Sequence, residues 1–288
     1  MISAREVTAR IKRLPIFPEL PARLAALMAT PTSGVDEFDK VIKPDPGMTA
    51  NLLRLANSAY FGLSRRVATS REAIAILGLK RVYDVATMTA VQRCLPERVP
   101  GYELTSRGFW QHCVAVAVLS ESLARVHGGQ PPALVFTAGL MHDIGKLVVG
   151  EFLALHAGAV LDRMRSQGVT LINAEREVLG VDHSEIGCEI AQAWHLPEVV
   201  VAVNRWHHDP DQARDGNEAA CVDLVHVGDA LAHSIGFGAD LGELHRPVSP
   251  TALDRLRLAK QALEQAAGGA LVEIENLTGL HVERGEKS

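Results

Sequence analysis

Aromatic residues are scarce in this sequence: 3 Trp, 3 Tyr and 7 Phe make up 5% of its 288 residues. The apolar set is carried by Ala, Leu and Val, which suit closely packed helices. Cysteine is equally sparse. Cys94, Cys113, Cys188 and Cys221 form no C-x-x-C pair, and a chain of this length needs no disulfide staples. Each reads as a small buried hydrophobe. Cys113 and Cys188 lie close to His112 and His183, yet they are poor candidate ligands. No run approaches the roughly 18 apolar residues that a membrane span requires. Val114–Leu119 and Val199–Val203 are short and flanked by polar residues. The opening Met1-Ile2-Ser3-Ala4-Arg5-Glu6 reads as a helix start and not as a secretory signal, so a cytoplasmic protein without a membrane partner is expected. No alternating polar–apolar run is long enough to define a strand. These absences leave an all-α protein.

What is present fits that class. Hydrophobic residues make up 47% and charged residues 22%, enough to build one large or two modest domains. Helical spacing predicts helices over Ala22–Met28, from Ser33 or Asp36 as N-cap through Ile42, and over Met48–Ala59. Ser70–Leu77 and Leu79–Val91 follow, divided by Gly78. Pro44-Asp45-Pro46-Gly47 reads as a turn. Further helices are expected over Phe109–Val126, ending near Gly128-Gly129, then Ala133–Leu140, Glu151–Gln167, Leu171–Leu179, Ser184–Trp194, Pro197–Trp206, Cys221–Ile235 and Thr251–Ala267. Gly268-Gly269 is expected to break the last of these. His281–Ser288 reads as a frayed polar end.

Arg98-Val99-Pro100-Gly101 is the expected boundary between a helical subdomain over residues 1–100 and a second over 101–288. Residues 1–98 hold 15 Lys+Arg against 9 Asp+Glu, net +6, and residues 99–288 carry net −11. That asymmetry suits attraction between the halves or an acidic partner for the first.

The 12 histidines are unevenly placed. His142-Asp143 and His207-His208 are doublets, His112 precedes the first, and His183 lies between them. Asp229 sits on the apolar run Val225–Leu231, where a charge is costly unless paired or ligating. Divalent transition metals favour imidazole with carboxylate. These seven residues exceed the needs of one tetrahedral ion and suit two ions sharing a carboxylate. Such pairs, roughly 3.5–4 Å apart, generate a hydroxide that attacks phosphorus. His142 and Lys146 are four apart, on one face if that segment is helical. There Lys146 would neutralise a phosphate oxygen. Gly187, four after His183, would admit a neighbouring helix closely.

At these residues the sequence resembles the HDOD proteins, members of the HD superfamily and relatives of HD-GYP phosphodiesterases. His142-Asp143-Ile144-Gly145-Lys146 is similar to the defining H-D-x-G-K segment, and His183-Ser184-Glu185-Ile186-Gly187 to H-x-x-x-G. Trp194-His195-Leu196-Pro197 and Trp206-His207-His208-Asp209-Pro210 resemble the W-x-L-P and H-H-x-P elements. Leu14-Pro15 and Leu20-Pro21 resemble the HDOD opening. Pro44-Asp45-Pro46-Gly47-Met48-Thr49, the run from Leu53 to Gly62 and Ala73–Gly78 resemble the D-P-x-x-T, L-R-L-A-N-S and A-x-x-x-L-G segments. The resemblance runs from about Leu14 to about Ile235. It implies an N-terminal helical bundle packed on an HD-like helical domain, acting as an output or regulatory module in bacterial signalling. The implied partners are signalling proteins, with a nucleotide or cyclic dinucleotide as ligand.

The implied metal set is His112, His142, Asp143, His183, His207, His208 and Asp229, holding a divalent transition metal as two ions of Fe, Mn or Zn. Asp143 and Lys146 are the implied catalytic residues. One element departs from the HD-GYP pattern. Where those proteins carry E-R-x-D-G-x-G-Y-P, this sequence reads Asp209-Pro210-Asp211-Gln212-Ala213-Arg214-Asp215-Gly216-Asn217. The leading expectation is therefore a regulatory protein acting through protein or ligand binding. Metal-dependent phosphohydrolysis is the alternative.

Several residues also have plainer readings. His112 on its apolar helix would alone be a satisfied core histidine. His207 and His208 could serve a helix end, and Asp229 could cap a helix or pair with Arg. Lys146 could be solvated. Glu175 and Glu177, close before His183, could supply an extra carboxylate but read first as a solvated face; His195, His226 and His233 read as structural or surface residues, and His156 and His245 carry no signal. Asn57-Ser58 reads as a helix C-cap, with Tyr60-Phe61 packing in the core. Arg54, Arg65, Arg66, Arg71, Lys80 and Arg81 read as solvated surface. Without aromatic stacking residues among them, a nucleic-acid partner is not expected.

Overall fold

A computed structural model describes residues 4–14, 18–58, 61–126, 134–213, 217–238 and 248–279. The expectations for Pro15–Phe17, Ala59-Tyr60, Gly128-Gly129, Ala133, Arg214–Gly216, His245 and His281–Ser288 lie outside these. The described chain is helical, apart from one short antiparallel pair, β1 (Arg98–Val99) with β2 (Leu104–Thr105). It divides into two units. One comprises residues 1–15 and 95–271, the other 16–94 and 272–288.

In the second of these, α2 (Glu19–Met28), α3 (Val35–Ile42), α4 (Pro46–Ala56), α5 (Ser70–Leu77) and α6 (Leu79–Cys94) bury Leu24, Phe38, Ile42, Met48, Leu52, Ile74 and Val82. Their starts follow cap chemistry. The α3 cap is Gly34 and not Ser33 or Asp36: its N–H donates to the Glu37 carboxylate at 3.0 Å. The expected turn at Pro44–Gly47 already contains the start of α4. Asp45 accepts from the Met48 N–H at 2.9 Å, and Pro46 occupies the first turn, where its missing donor costs nothing. Gly78, at φ 77°, divides α5 from α6 as expected. Asn57 is the C-cap of α4 and pairs with the Val67 backbone in both directions. Two of the basic residues differ from the expectation of a solvated surface: Arg81 pairs with Glu273, and Lys80 reaches the buried carboxylate of Asp84 at 3.2 Å.

The other unit begins with α1 (Ala4–Ile11) and is built around α7 (Ser106–Val126), a 21-residue helix buried along most of its length. Against it pack α8 (Val135–Met141) and α13 (Asn217–Ala232). Then α12 (Glu198–Trp206) packs on α8, α11 (His183–Ala193) and α13. The long α9 (Lys146–Gln167) packs on α10 (Leu171–Leu179) and α11. The last two helices are α14 (Pro250–Leu256) and α15 (Lys260–Thr278).

The expected break at Gly268-Gly269 is absent. The helix stops earlier, at Arg257 in the left-handed region (φ 49°), and α15 runs through both glycines. Burial of Ala266, Ala270, Ile274 and Leu277 along one stripe outweighs the roughly 1 kcal/mol that each glycine costs a helix.

The expectation about membrane-length segments also needs amendment. Val135–Gln167 is long and apolar enough to cross a membrane by length and composition. It is two helices, broken at His142–Gly145, and it carries buried His142, Asp143 and Lys146. Charged groups buried at the break mark a core segment and not a span.

Candidate metal centre

Five segments of the chain deliver the polar residues to one place. His112 projects from the middle of α7. His142 and Asp143 lie in the turn between α8 and α9, closed by the Ile144 N–H on Met141 O (3.1 Å) and the Lys146 N–H on Asp143 O (2.9 Å). His183 opens α11, whose N-cap Asp182 accepts from the Glu185 N–H at 2.9 Å. His207 and His208 follow the last turn of α12, and Asp229 lies in α13. The α8–α9 turn presses on the start of α11 at two glycines. A Cβ on Gly145 would collide with the His183 carbonyl and stand 2.6 Å from the Gly187 nitrogen. The expected close approach at Gly187 is thus present, and Gly145 shares it.

Asp143 is the centre of the cluster. Its Oδ2 lies 3.3 Å from His142 Nε2, 3.6 Å from His112 Nε2 and 2.8 Å from Lys146 Nζ. Its Oδ1 lies 3.5 Å from His183 Nε2 and 3.6 Å from His207 Nε2. The two oxygens of one carboxylate therefore face two separate pairs of imidazoles. Asp229 Oδ1 joins the first group, 3.4 Å from His112 Nε2 and 3.9 Å from His142 Nε2. His208 joins the second, with Nε2 2.7 Å from His183 Nε2. His112, His142, Asp143, His183, His207 and Asp229 are each at most 1% exposed.

Every central imidazole is held by its other nitrogen. Nδ1 of His112 lies 2.9 Å from Phe237 O, and that of His142 2.7 Å from Gly139 O. Nδ1 of His207 lies 3.1 Å from both Val203 O and Asn204 O. Nδ1 of His183 lies 2.8 Å from Glu175 Oε2. Each acceptor requires the proton on Nδ1, which leaves the Nε2 lone pair pointing inward. This is the arrangement by which proteins orient metal-binding histidines. Nε2 of His112 and of His142 is buried without a hydrogen-bond partner, a state that costs about 1–3 kcal/mol unless a cation takes the lone pair. The donor set, four buried imidazole nitrogens around shared carboxylates, fits a divalent transition metal. Three groups of these side chains are close enough to hold an ion: His112 with His142 and Asp143, His112 with Asp229 and His233, and Asp143 with His183, His207 and His208.

The electrostatics agree with that reading. Burial pushes the His112 imidazole down to about 4 against the pull of Asp143, and burial lowers His142 as well. Both stay neutral and ready to ligate. Burial alone would raise Asp143, but its polar neighbours, the His142 imidazole and the Lys146 ammonium, hold its carboxyl well below the usual range. His183 moves the other way. Burial would lower it, and the Glu175 carboxylate outweighs burial and raises it.

All seven expected ligand residues converge, and Lys146 lies among them. It is 1% exposed, so the solvated reading does not apply. Two further residues adjoin the cluster. Glu175 is not on the solvated face that its sequence favours over a role as an extra carboxylate: it is fully buried and accepts from the His183 N–H (3.0 Å) and the Tyr102 hydroxyl (2.7 Å). The signal was available: Glu175 falls on the stripe Leu171, Ile172, Ala174 and Leu179, while Glu177 points outward to Arg163. His233, expected to be structural or surface, brings its Nε2 to 3.6 Å from Asp229 Oδ1. The four-residue step from Asp229 was its signal. His226 is structural as expected: Nδ1 lies 2.8 Å from His207 O, and Nε2 accepts from the Ser249 N–H at 2.9 Å. Cys94, Cys113 and Cys221 are buried thiols, and Cys188 is half-buried.

An all-helical scaffold enclosing a His/Asp cluster that could hold metal is the class these observations define. Within it, the pattern of the HDOD domain matches residues 14–210, and the chain belongs to the HDOD family. A crystal structure of an HDOD domain protein of unknown function from Geobacter sulfurreducens is similar over 97% of both chains, with TM-score 0.73 and 25% identity. A putative phosphohydrolase from Shewanella amazonensis shares the fold at TM-score 0.70 and 22% identity, over 95% of this chain and 97% of that one. Among curated sequences, an uncharacterized protein of Treponema pallidum is 27% identical over 216 residues, 68% of this chain and 38% of that protein. Ribonuclease Y of Thermus thermophilus is 34% identical over 122 residues, 42% of this chain and 16% of the enzyme. The chain therefore spans well under half the length of these curated relatives.

Proposed function

We propose that this chain is a cytoplasmic bacterial signal-transduction protein whose HDOD module holds two divalent transition-metal ions and hydrolyses a phosphoester bond in a nucleotide-type ligand. The observation that carries this reading is the division of Asp143. Its Oδ2 faces His112 and His142, and its Oδ1 faces His183 and His207. A carboxylate so placed can bridge two ions. Bound there, Fe, Mn or Zn would supply Lewis acidity and a water of lowered pKa. The chain's own part is orientation. The fixed Nδ1 protons hold four Nε2 lone pairs inward, Asp143 divides its charge between the two groups, and Lys146 adds the positive charge that a phosphoryl oxygen would meet. The relatedness to ribonuclease Y and the fold shared with a putative phosphohydrolase support the same chemistry.

A second reading rests on the burial of the centre. A metal enclosed by side chains at most 1% exposed would brace the core, and the module would act through contacts with signalling proteins. The two readings separate in one experiment: purification from metal-supplemented medium, elemental analysis, and assay on a panel of phosphodiesters and phosphomonoesters. Two ions with turnover support hydrolysis. Two ions without turnover leave the regulatory reading, and no metal with no turnover removes the metal centre altogether.

A further inference from the structure

Immediately after α13 the chain leaves the helix through a kinked turn, His233–Phe237, with Gly236 in the left-handed region at φ 93°. The turn does two things for the same side chain. The carbonyl of Phe237 accepts the Nδ1 proton of His112 at 2.9 Å, and the turn's first residue, His233, brings its ring to 5.1 Å from the His112 ring. Nε2 of His233 stands 3.6 Å from Asp229 Oδ1, which is itself 3.4 Å from His112 Nε2. The donor atoms of His112, Asp229 and His233 lie within 4.8 Å of one another. His112 Nε2 points into this triangle, buried and without a hydrogen-bond partner. A Cβ on Gly238 would stand 2.5 Å from the His233 Nδ1, so the chain after the turn closes on that ring.

We propose that His233 is an eighth ligand, binding through Nε2 the ion on the Asp229 side of the centre, and that the kinked turn after α13 serves to place it. The inference rests on the two-ion reading above. It makes the two ion positions unequal. The Asp229 side draws on His112, His142, Asp143, Asp229 and His233, and the other on Asp143, His183, His207 and His208. A five-donor ion leaves less room for an exogenous ligand. The His183 side is then the position where a phosphoryl oxygen binds, and the Asp229 side is the tighter, more permanent ion.

The test uses the full chain and Co(II) as probe, with metal content and visible absorption as readouts. After dialysis against a metal buffer that leaves the parent protein with two ions, His233→Ala is expected to retain about one. Its affinity for the second ion should fall by tenfold or more. His233→Asp, which restores a donor, is expected to recover the second ion with a shifted Co(II) band, because oxygen replaces nitrogen. His156→Ala, on exposed α9 surface, is the control. Two ions and an unchanged spectrum in His233→Ala overturn the proposal while leaving the two-ion centre intact. A parent protein that binds no Co(II) overturns both. If His233→Ala does not fold, the spectrum of His233→Asp decides, and a band identical to the parent's rejects His233 as a ligand.

Discussion

Nδ1 of His183 and Oε2 of Glu175 lie 2.8 Å apart, both side chains wholly buried. The carboxylate also accepts from the His183 backbone N–H and, through Oε1, from the Tyr102 hydroxyl. It therefore fixes one tautomer and one orientation of the ring. Replacement of such a partner typically costs 10–100-fold in metal affinity. Glu175→Gln is expected to weaken one ion within that range, and Tyr102→Phe to weaken it less. Competition against a chromophoric chelator measures both. Equal affinity in Glu175→Gln and the parent would show that the contact is only packing.

Asp143 should matter to both ions, because each oxygen faces a different pair of imidazoles. Asp143→Asn is expected to reduce bound metal to near zero, whereas His183→Ala should spare the ion beside His112 and His142. The substitution also leaves Lys146 buried opposite a neutral amide, which costs about 3–5 kcal/mol. Adding Lys146→Met to Asp143→Asn should recover much of that loss in urea denaturation. No recovery would mean that the Lys146–Asp143 pair at 2.8 Å contributes little.

The metal-free protein should lose stability on mild acidification. Burial holds His112 at about 4 against an ordinary 6.5. The unfolded chain therefore binds a proton that the folded chain refuses, and stability falls as pH drops from about 6.5 towards about 4. A displacement of that size corresponds to roughly 3 kcal/mol. His183 is raised by Glu175 and contributes with the opposite sign, so the comparison that isolates His112 is with His112→Gln. That variant should show a flatter stability profile across the window in denaturant melts at pH 7, 5.5 and 4.5.

Two glycine substitutions should have opposite signs. A Cβ at Gly145 collides with the His183 carbonyl, and backbone cannot swing aside as a flexible side chain can. Gly145→Ala is expected to cost 1–3 kcal/mol, of the order seen on overpacking a core, and to displace His183 from the centre. Gly268 lies within α15 with nothing within 4 Å of a Cβ. Gly268→Ala should stabilise by about 0.4–1 kcal/mol. Thermal melts of both variants test the pair.

The sequence by itself determined the helical class, most helix spans and the seven residues at the centre. Those features are local. Helical spacing marks buried stripes such as Leu52 and Leu55, and doublets such as His142-Asp143 and His207-His208 stand out against helices that otherwise carry few charges. Tertiary structure decided the rest, because it depends on which neighbour a face meets. Glu175 and Glu177 are two residues apart and chemically alike; the apolar stripe of α10 marks which one turns inward, but only the tertiary packing gives Glu175 His183 as its partner and Glu177 Arg163. Gly268-Gly269 carries a local signal to stop, and burial along α15 overrides it. His233 lies on the face of Asp229, but its approach to His112 is set by the kink at Gly236, which no sequence period announces. The division of Asp143 between two sets of imidazoles is likewise a property of several packed segments, α7, the α8–α9 turn, α11 and the end of α12, and not of any one of them.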